Sequence, residues 1–249
     1  MLRWCSYCQQ YQGEKAPYAD LRVSHGICSP CLARVPSQSD LEFEHSNSLA
    51  EIQHRLQAAG ALGDVARAVE TIQEAARVGF RPIDVFLGIM APLLYEVGER
   101  WQCGAISVAD EHRFTSFCEQ VFARVSATAP AGDDCKILLV NARGNRHTLA
   151  IRALALYLRQ NGARAGALSP ELSIDEVLLE TERSGARIVL VSAALAEHRD
   201  QVVELAEAIG TMPDGARPRI VVGGYAVKSG LFEPIPGVQL AGDISALEL

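Results

Sequence analysis

Two groups of side chains in this chain have the types and spacing to do chemistry. Cys5 and Cys8 form one Cys-x2-Cys pair, and Cys28 and Cys31 form a second one 19 residues further on. Each pair can aim two sulfurs at one centre, and two pairs complete the tetrahedral four-cysteine set of a structural zinc site. In a chain expected to be cytoplasmic this spacing indicates a metal site rather than a disulfide frame. His25 lies three residues before Cys28, but with four thiols present no fifth ligand is needed. Cys103, Cys118 and Cys135 are scattered and are expected to be buried thiols. The second group centres on His147, within Val140-Asn141-Ala142-Arg143-Gly144-Asn145-Arg146-His147-Thr148-Leu149-Ala150. The apolar run before it has the character of a buried strand, and a helix is expected from about Thr148. The imidazole therefore sits in a loop at the carboxyl edge of a sheet, where ligands of open α/β folds bind. Imidazole is also the side chain best suited to ligate a metal near neutral pH.

The elements that would position these groups fall into three segments. Residues 1–36 hold too few apolar residues to build a core, so a metal is the expected source of their stability. Residues 37–48, with Pro36-Ser37-Gln38-Ser39-Asp40 at their start, have linker composition. Residues 49–128 carry apolar positions at three- and four-residue spacing over Leu49–Ala59, Val65–Val78 and Val85–Val97. A fourth helix capped by Ser107 runs to about Val125. Breaks at Gly60, Gly63, Gly79 with Pro82, and Gly104 would separate them into a four-helix bundle. Residues 129–135 form a second linker. Residues 136–249 then alternate apolar runs with helical patterns. The runs are Ile137–Val140, Arg164–Leu168, Ile188–Val191, Ile220–Val222 and Val238–Leu240. Helices are expected at about 148–161, 173–184, 198–210 and 225–232, with a short one after Asp243. That pattern predicts a five-stranded, doubly wound parallel sheet of flavodoxin-like α/β class.

Bulk composition narrows the function. The 249 residues are 49% apolar and 21% charged, which is ordinary for globular chains. No apolar run approaches the ~20 residues needed to span a bilayer, and the N-terminus lacks a signal-peptide core. A cytoplasmic location without a membrane role is the expectation. The formal net charge of −7 argues against a broad nucleic-acid surface. The first 36 residues carry a formal +2, from Arg3, Lys15, Arg22 and Arg34 against Glu14 and Asp20. Four thiolates around one Zn²⁺ would cancel that excess, so direct DNA binding through this segment is not expected.

Three loops of the α/β segment carry a more specific pattern in chain order: Asn145-Arg146-His147-Thr148-Leu149-Ala150, then Ser192-Ala193-Ala194, then Gly223-Gly224. In this order they resemble the cobalamin (vitamin B12)-binding domain family, with its Asp-x-His-x-x-Gly loop, Ser-x-Leu segment and Gly-Gly pair. The resemblance implies that His147 ligates cobalt from below once the dimethylbenzimidazole tail has swung away. It implies that Ser192 contacts that tail in a deep slot lined by Gly223 and Gly224, and that Thr148 and the Gly242-Asp243 turn belong to the same site. Asn145 stands where the family has a carboxylate beside the ligand histidine, Ala150 replaces a glycine, and Ala194 replaces a leucine. A neutral amide polarises an imidazole less than a carboxylate does, which implies a weaker, more exchangeable bond to cobalt.

The helical segment adds Trp101 with Glu111 and His112 after it. This Trp-x9-Glu-His pattern resembles the cap of the light-sensing B12 proteins of the carotenoid-repressor, MerR-type class. The resemblance implies that Trp101 fills the upper face of the corrin beside an adenosyl group and that Glu111 and His112 contact the ligand. Gln102 stands where that class often has a second cobalt-ligating histidine, so a stable bis-histidine lit state is not implied. The N-terminal segment resembles small Trp-Cys-x-x-Cys modules attached to some bacterial sensor kinases and response regulators, rather than a winged helix. Together these features imply a non-enzymatic, adenosylcobalamin-dependent sensor with Zn²⁺ in its N-terminal module, which signals to a regulatory protein partner and has scope to form a homo-oligomer. A corrinoid methyl carrier of a methyltransferase system and a haem-binding antirepressor are the alternatives. No nucleophile or acid–base constellation supports an independent enzyme.

Overall fold

A computed structural model describes residues 1–33, 45–126, 136–145, 147–168, 172–244 and 247. The chain divides into two compact units, Met1–Thr128 and Ala129–Leu249.

The first unit opens with strands β1 (Leu2–Cys5), β2 (Tyr11–Glu14) and β3 (Val23–Gly26), followed by the single helical turn α1 (Ser29–Leu32). The strands form a sheet of order β2-β1-β3, with β1 antiparallel to β2 and parallel to β3. The helices follow as α2 (His45–Leu62), α3 (Val65–Arg77), α4 (Pro82–Val85), α5 (Ala91–Gln102) and α6 (Val108–Val125). α2 begins four residues earlier than the apolar pattern indicates, because its first turn lies ahead of the first core residue, Leu49. The rest of the expected linker at 37–44 lies outside the described residues. Leu49, Ile52, Leu56 and Ala59 on α2 and Phe117, Cys118, Val121 and Phe122 on α6 line the core, at the spacing of one helical face. Asp64 caps α3 by accepting from the Arg67 N–H at 3.0 Å. Ser107 and Asp110 form a reciprocal capping box on α6.

Three expectations about this unit are corrected. Gly60 does not break a helix; it lies inside α2. A Cβ there would come within 2.5 Å of the Phe114 ring, so the glycine admits the close approach of α6. The expected single helix from Val85 is instead interrupted by a π-helical turn over Phe86–Met90. Pro92 follows at once; it has no N–H to donate to the Gly88 carbonyl, and its ring would crowd that group, so the α-helical ladder cannot run through. Of the scattered thiols, Cys118 is buried as expected but Cys103 is exposed, because it follows the last residue of α5, where its thiol donates to the Arg100 carbonyl at 3.3 Å. Cys135 lies outside the described residues.

The second unit has strands β4 (Ile137–Asn141), β5 (Ala165–Ala167), β6 (Ile188–Ser192), β7 (Arg219–Gly223) and β8 (Val238–Leu240). All pair in parallel, in the order β5-β4-β6-β7-β8. This is a doubly wound, flavodoxin-like order, and it reverses between β4 and β6. Helices α7 (Thr148–Gln160), α8 (Ile174–Ser184), α9 (Arg199–Gly210) and α10 (Tyr225–Lys228) connect the strands. α10 stops at Lys228, short of the expected 232, and Gly230 at φ 73° turns the chain just beyond it. Ile137, Leu139, Leu190 and Val221 pack with Ile151, Ala155 and Leu158 of α7 on one face of the sheet. Val140, Val189, Val191 and Val222 pack with Val177, Val202 and Leu205 on the other. The expected linker at 129–135 and the residues just after Ile244 lie outside the described residues. No described helix is long and apolar enough to cross a membrane.

Candidate functional site

In the α/β unit the residues singled out by sequence come together at the carboxyl ends of adjacent strands. His147 is the N-cap residue of α7, and its side chain makes no capping hydrogen bond. The residue is exposed, so its imidazole is free of the helix and available to a ligand. Asn145 is buried beneath it, and its Nδ2 donates to the Ser192 carbonyl at 3.0 Å and the Ser192 hydroxyl at 3.4 Å. Its Oδ1 accepts from the His147 main-chain N–H at 3.2 Å. Asn145 thus holds the loop that carries the imidazole through backbone and hydroxyl groups rather than through the ring. Those contacts join the ends of β4 and β6 across the point where strand order reverses, which is where ligands of such sheets bind.

Ser192 lies in register with Asn141 on one side and Gly223 on the other. Gly223 cannot carry a side chain without crowding, since a Cβ would stand 3.1 Å from the Ala241 carbonyl oxygen. Gly224 adopts φ 106° and ψ −174°, a region open only to glycine. A Cβ there would stand 2.5 Å from the Ala193 oxygen. Thr148 begins α7, and Gly242 and Asp243 form a bend after β8, so both also belong to the carboxyl edge.

Two residues that sequence reasoning did not select belong to this region. Asn141 is buried, and neither its Nδ2 nor its Oδ1 has a hydrogen-bond partner among the described residues. His198 is buried, with Nδ1 accepting from the main-chain N–H groups of Ala194 at 3.2 Å and Leu195 at 3.3 Å. Burial lowers its pKa from the ordinary histidine value; Glu197 opposes that shift, and the nearby positive potential of His147 adds to it.

In the helical unit Trp101 sits one residue from the end of α5, and Glu111 and His112 lie in the first turns of α6. These helices pack against each other, and the short connection from Cys103 to Ser107, with Gly104 at φ 75°, puts the three residues at the same end of the pair. Trp101 is 45% exposed. Glu111 Oε1 accepts from the Thr115 hydroxyl at 2.8 Å, and its Oε2 lies 2.6 Å from His112 Nδ1. The carboxylate thereby orients an otherwise exposed imidazole. Gln102 and Cys103 are both exposed beside Trp101.

The four N-terminal cysteines converge. Their sulfurs all lie within 4.8 Å of one another, and Cys8 Sγ and Cys28 Sγ are 3.8 Å apart. Four sulfurs at ~2.3 Å from a tetrahedral metal stand ~3.8 Å apart, so the set fits Zn²⁺. Burial raises the Cys5 pKa, but N–H donors from Cys8, Cys28 and Tyr7 outweigh that effect and bring it down to about 6. Burial pushes the Cys8 and Cys31 thiols up. The module is built into the helical unit: Trp4, fully buried, packs on Tyr11 and edge-on against Phe80. A Cβ on Gly88, in the π-helical turn, would come within 2.6 Å of the Trp4 ring. Arg81 pairs through two hydrogen bonds with the fully buried Asp84 carboxylate, which also accepts from the Tyr11 main-chain N–H.

Residues 52–126 match the family model described as B12 binding domain. The match covers the helices that carry Trp101, Glu111 and His112, and it supports cobalamin as the cofactor. The chain is 27% identical over 109 residues to the HTH-type transcriptional repressor CarH of Myxococcus xanthus, a match covering 44% of this chain and 36% of the repressor. It therefore spans about a third of the length of that curated relative. Among solved structures, the Methanosarcina barkeri monomethylamine corrinoid protein aligns with a TM-score of 0.62 at 18% identity, over 77% of this chain and 92% of that one. At that identity the likeness establishes a shared fold.

Proposed function

We propose that this chain is an adenosylcobalamin-dependent light sensor that signals to a protein partner. One observation carries the reading: in a chain whose helices match a B12 binding domain, the exposed His147 and a partly unsatisfied polar row both lie at the carboxyl ends of the strands where strand order reverses. His147 would ligate cobalt from below, and Asn145 would position it through the backbone. Ser192, Gly223, Gly224, Thr148, Gly242 and Asp243 would border the nucleotide tail. Trp101, Glu111 and His112 would supply the contacts on the upper side. Cobalamin with an upper alkyl group supplies a photolabile cobalt–carbon bond. The exposed face of Trp101 offers apolar area that a large upper group would cover and a methyl would not, and release of that group would remove the support of the aromatic, a change with two discrete packings. Cys5, Cys8, Cys28 and Cys31 would hold Zn²⁺ and fix the N-terminal module to the helices that sense the ligand.

The test is an absorption spectrum of the full chain reconstituted with adenosylcobalamin in the dark, recorded before and after illumination and repeated with His147→Ala. Binding in the dark, a light-driven spectral change and an altered lower-ligand signature in the variant are expected. Absence of cobalamin absorption, an unchanged spectrum under light, or tighter binding of methylcobalamin than of adenosylcobalamin would overturn the reading.

A further inference from the structure

The carboxyl end of the sheet carries a polar row whose hydrogen-bonding capacity is only partly used. Asn141, Ser192 and Gly223 are in mutual register on β4, β6 and β7. Two residues back along the same strands, Leu139, Leu190 and Val221 form an equally registered apolar row against α7. Strand alternation puts residues two apart on one face, so the polar row is the next layer on the α7 side. Ser192 accepts from Asn145, and Gly223 contributes no side chain to the row. Asn141 is only 8% exposed, yet both polar atoms of its carboxamide are without partners among the described residues. Leaving a buried amide donor and acceptor unsatisfied is unfavourable, and an apolar residue in this place would avoid that penalty.

We infer that the Asn141 carboxamide selects the terminal base of the bound corrinoid's tail, favouring an aminopurine over dimethylbenzimidazole. This rests on the cobalamin reading of the site. A carboxamide offers one donor and one acceptor side by side, which match the amine and the neighbouring ring nitrogen of adenine; the same complementarity lets asparagine read adenine in nucleic acids. The exocyclic amine donates to Oδ1, and the ring nitrogen accepts from Nδ2. Dimethylbenzimidazole presents two methyl groups on its six-membered ring and has no N–H to donate, so even with its ring nitrogen accepting from Nδ2 it leaves Oδ1 unsatisfied. A site built to hydrogen-bond its ligand discriminates strongly against an analogue that lacks the groups.

The experiment measures the affinity of the full chain, in the dark, for cobalamin and for the corresponding cobamide with adenine as its lower base. Both carry the same upper ligand, and Asn141→Leu and Asn141→Ser are measured alongside. The wild type is expected to bind the adenine form at least about tenfold more tightly. Asn141→Leu, an apolar residue of similar size, should abolish or reverse that ratio, and Asn141→Ser should reduce it. Because the readout is a ratio within each variant, partial loss of folding does not mimic it. Equal or tighter binding of cobalamin by the wild type, or a ratio unchanged in Asn141→Leu, would overturn the inference while leaving the cobalamin reading intact. Failure of both corrinoids to bind would remove that reading and the inference with it.

Discussion

Asn145 Nδ2 donates to the Ser192 carbonyl at 3.0 Å, tying the loop that presents His147 to the end of the neighbouring strand. The same side chain accepts from the His147 N–H through Oδ1, so one buried amide fixes both the loop and the residue it carries. Asn145→Ala removes these bonds and leaves the His147 N–H without this acceptor. A loss of about 1–2 kcal/mol in stability of the α/β unit is expected, measured by thermal unfolding of the full chain. In reconstituted protein the His147-dependent spectral signature should weaken more than corrinoid affinity does. An unchanged signature would show that Asn145 does not position the imidazole.

The backbone at Gly224 allows a sharper test of the loop after β7. Its φ of 106° and the 2.5 Å that would separate a Cβ from the Ala193 oxygen oppose any side chain. The clash is with backbone, which itself donates to Gly223 and accepts from Ala226 and cannot yield cheaply. Gly224→Ala should therefore destabilise the unit by at least about 2 kcal/mol. Gly215→Ala, where a Cβ would meet nothing, should have little effect on the same melting curve. Equal effects of the two would refute the steric account.

The strands of the α/β unit were legible because a parallel sheet buried on both faces demands short, continuous apolar runs. Loop chemistry was legible where a residue type is unusual by itself, as with His147, Trp101 and the paired cysteines. What stayed hidden depends on partners distant in sequence. Gly60 reads as a break, and only Phe114 on another helix explains it. Asn141 reads as the end of a run and gains meaning only from its register with Ser192 and Gly223. His198 reads as the polar start of a helix, whereas its Nδ1 serves two loop N–H groups.

The N-terminal module should respond to metal as a unit with the helices it touches. Trp4 is 1% exposed and contacts Tyr11, Phe80 and the face of Gly88. If the four thiolates hold Zn²⁺, removing it frees the Cys5–Cys8 turn that anchors β1. The chain has two tryptophans, so a Trp101→Phe background isolates Trp4. In it, a strong chelator or Cys8→Ser should shift emission to longer wavelength, and hydrogen exchange should rise over residues 2–26 and around Phe80. Trp4→Ala should cost about 3–5 kcal/mol by emptying a fully packed site. A Trp4 emission indifferent to metal removal would dissociate the cysteine cluster from this packing.

His198 should make the α/β unit sensitive to acid. Burial holds its pKa below the ordinary value of 6.5, and its Nδ1 faces two N–H donors, so a proton there would meet like partners. The unfolded chain takes up a proton near pH 6.5 while the folded chain does not, so the unfolded state binds more protons as pH falls. The contribution of this residue is therefore fully present above pH 6.5 and is lost as pH drops through the folded-state pKa, at most about 1.4 kcal/mol per pH unit. Melting temperatures of the full chain between pH 7.5 and 5 should fall with this slope. His198→Asn, which keeps an acceptor near Nδ1 but cannot titrate, should flatten the dependence while leaving stability at pH 7.5 within about 1 kcal/mol of wild type, one hydrogen bond's worth. An acid slope identical in the two proteins would assign the loss to other groups.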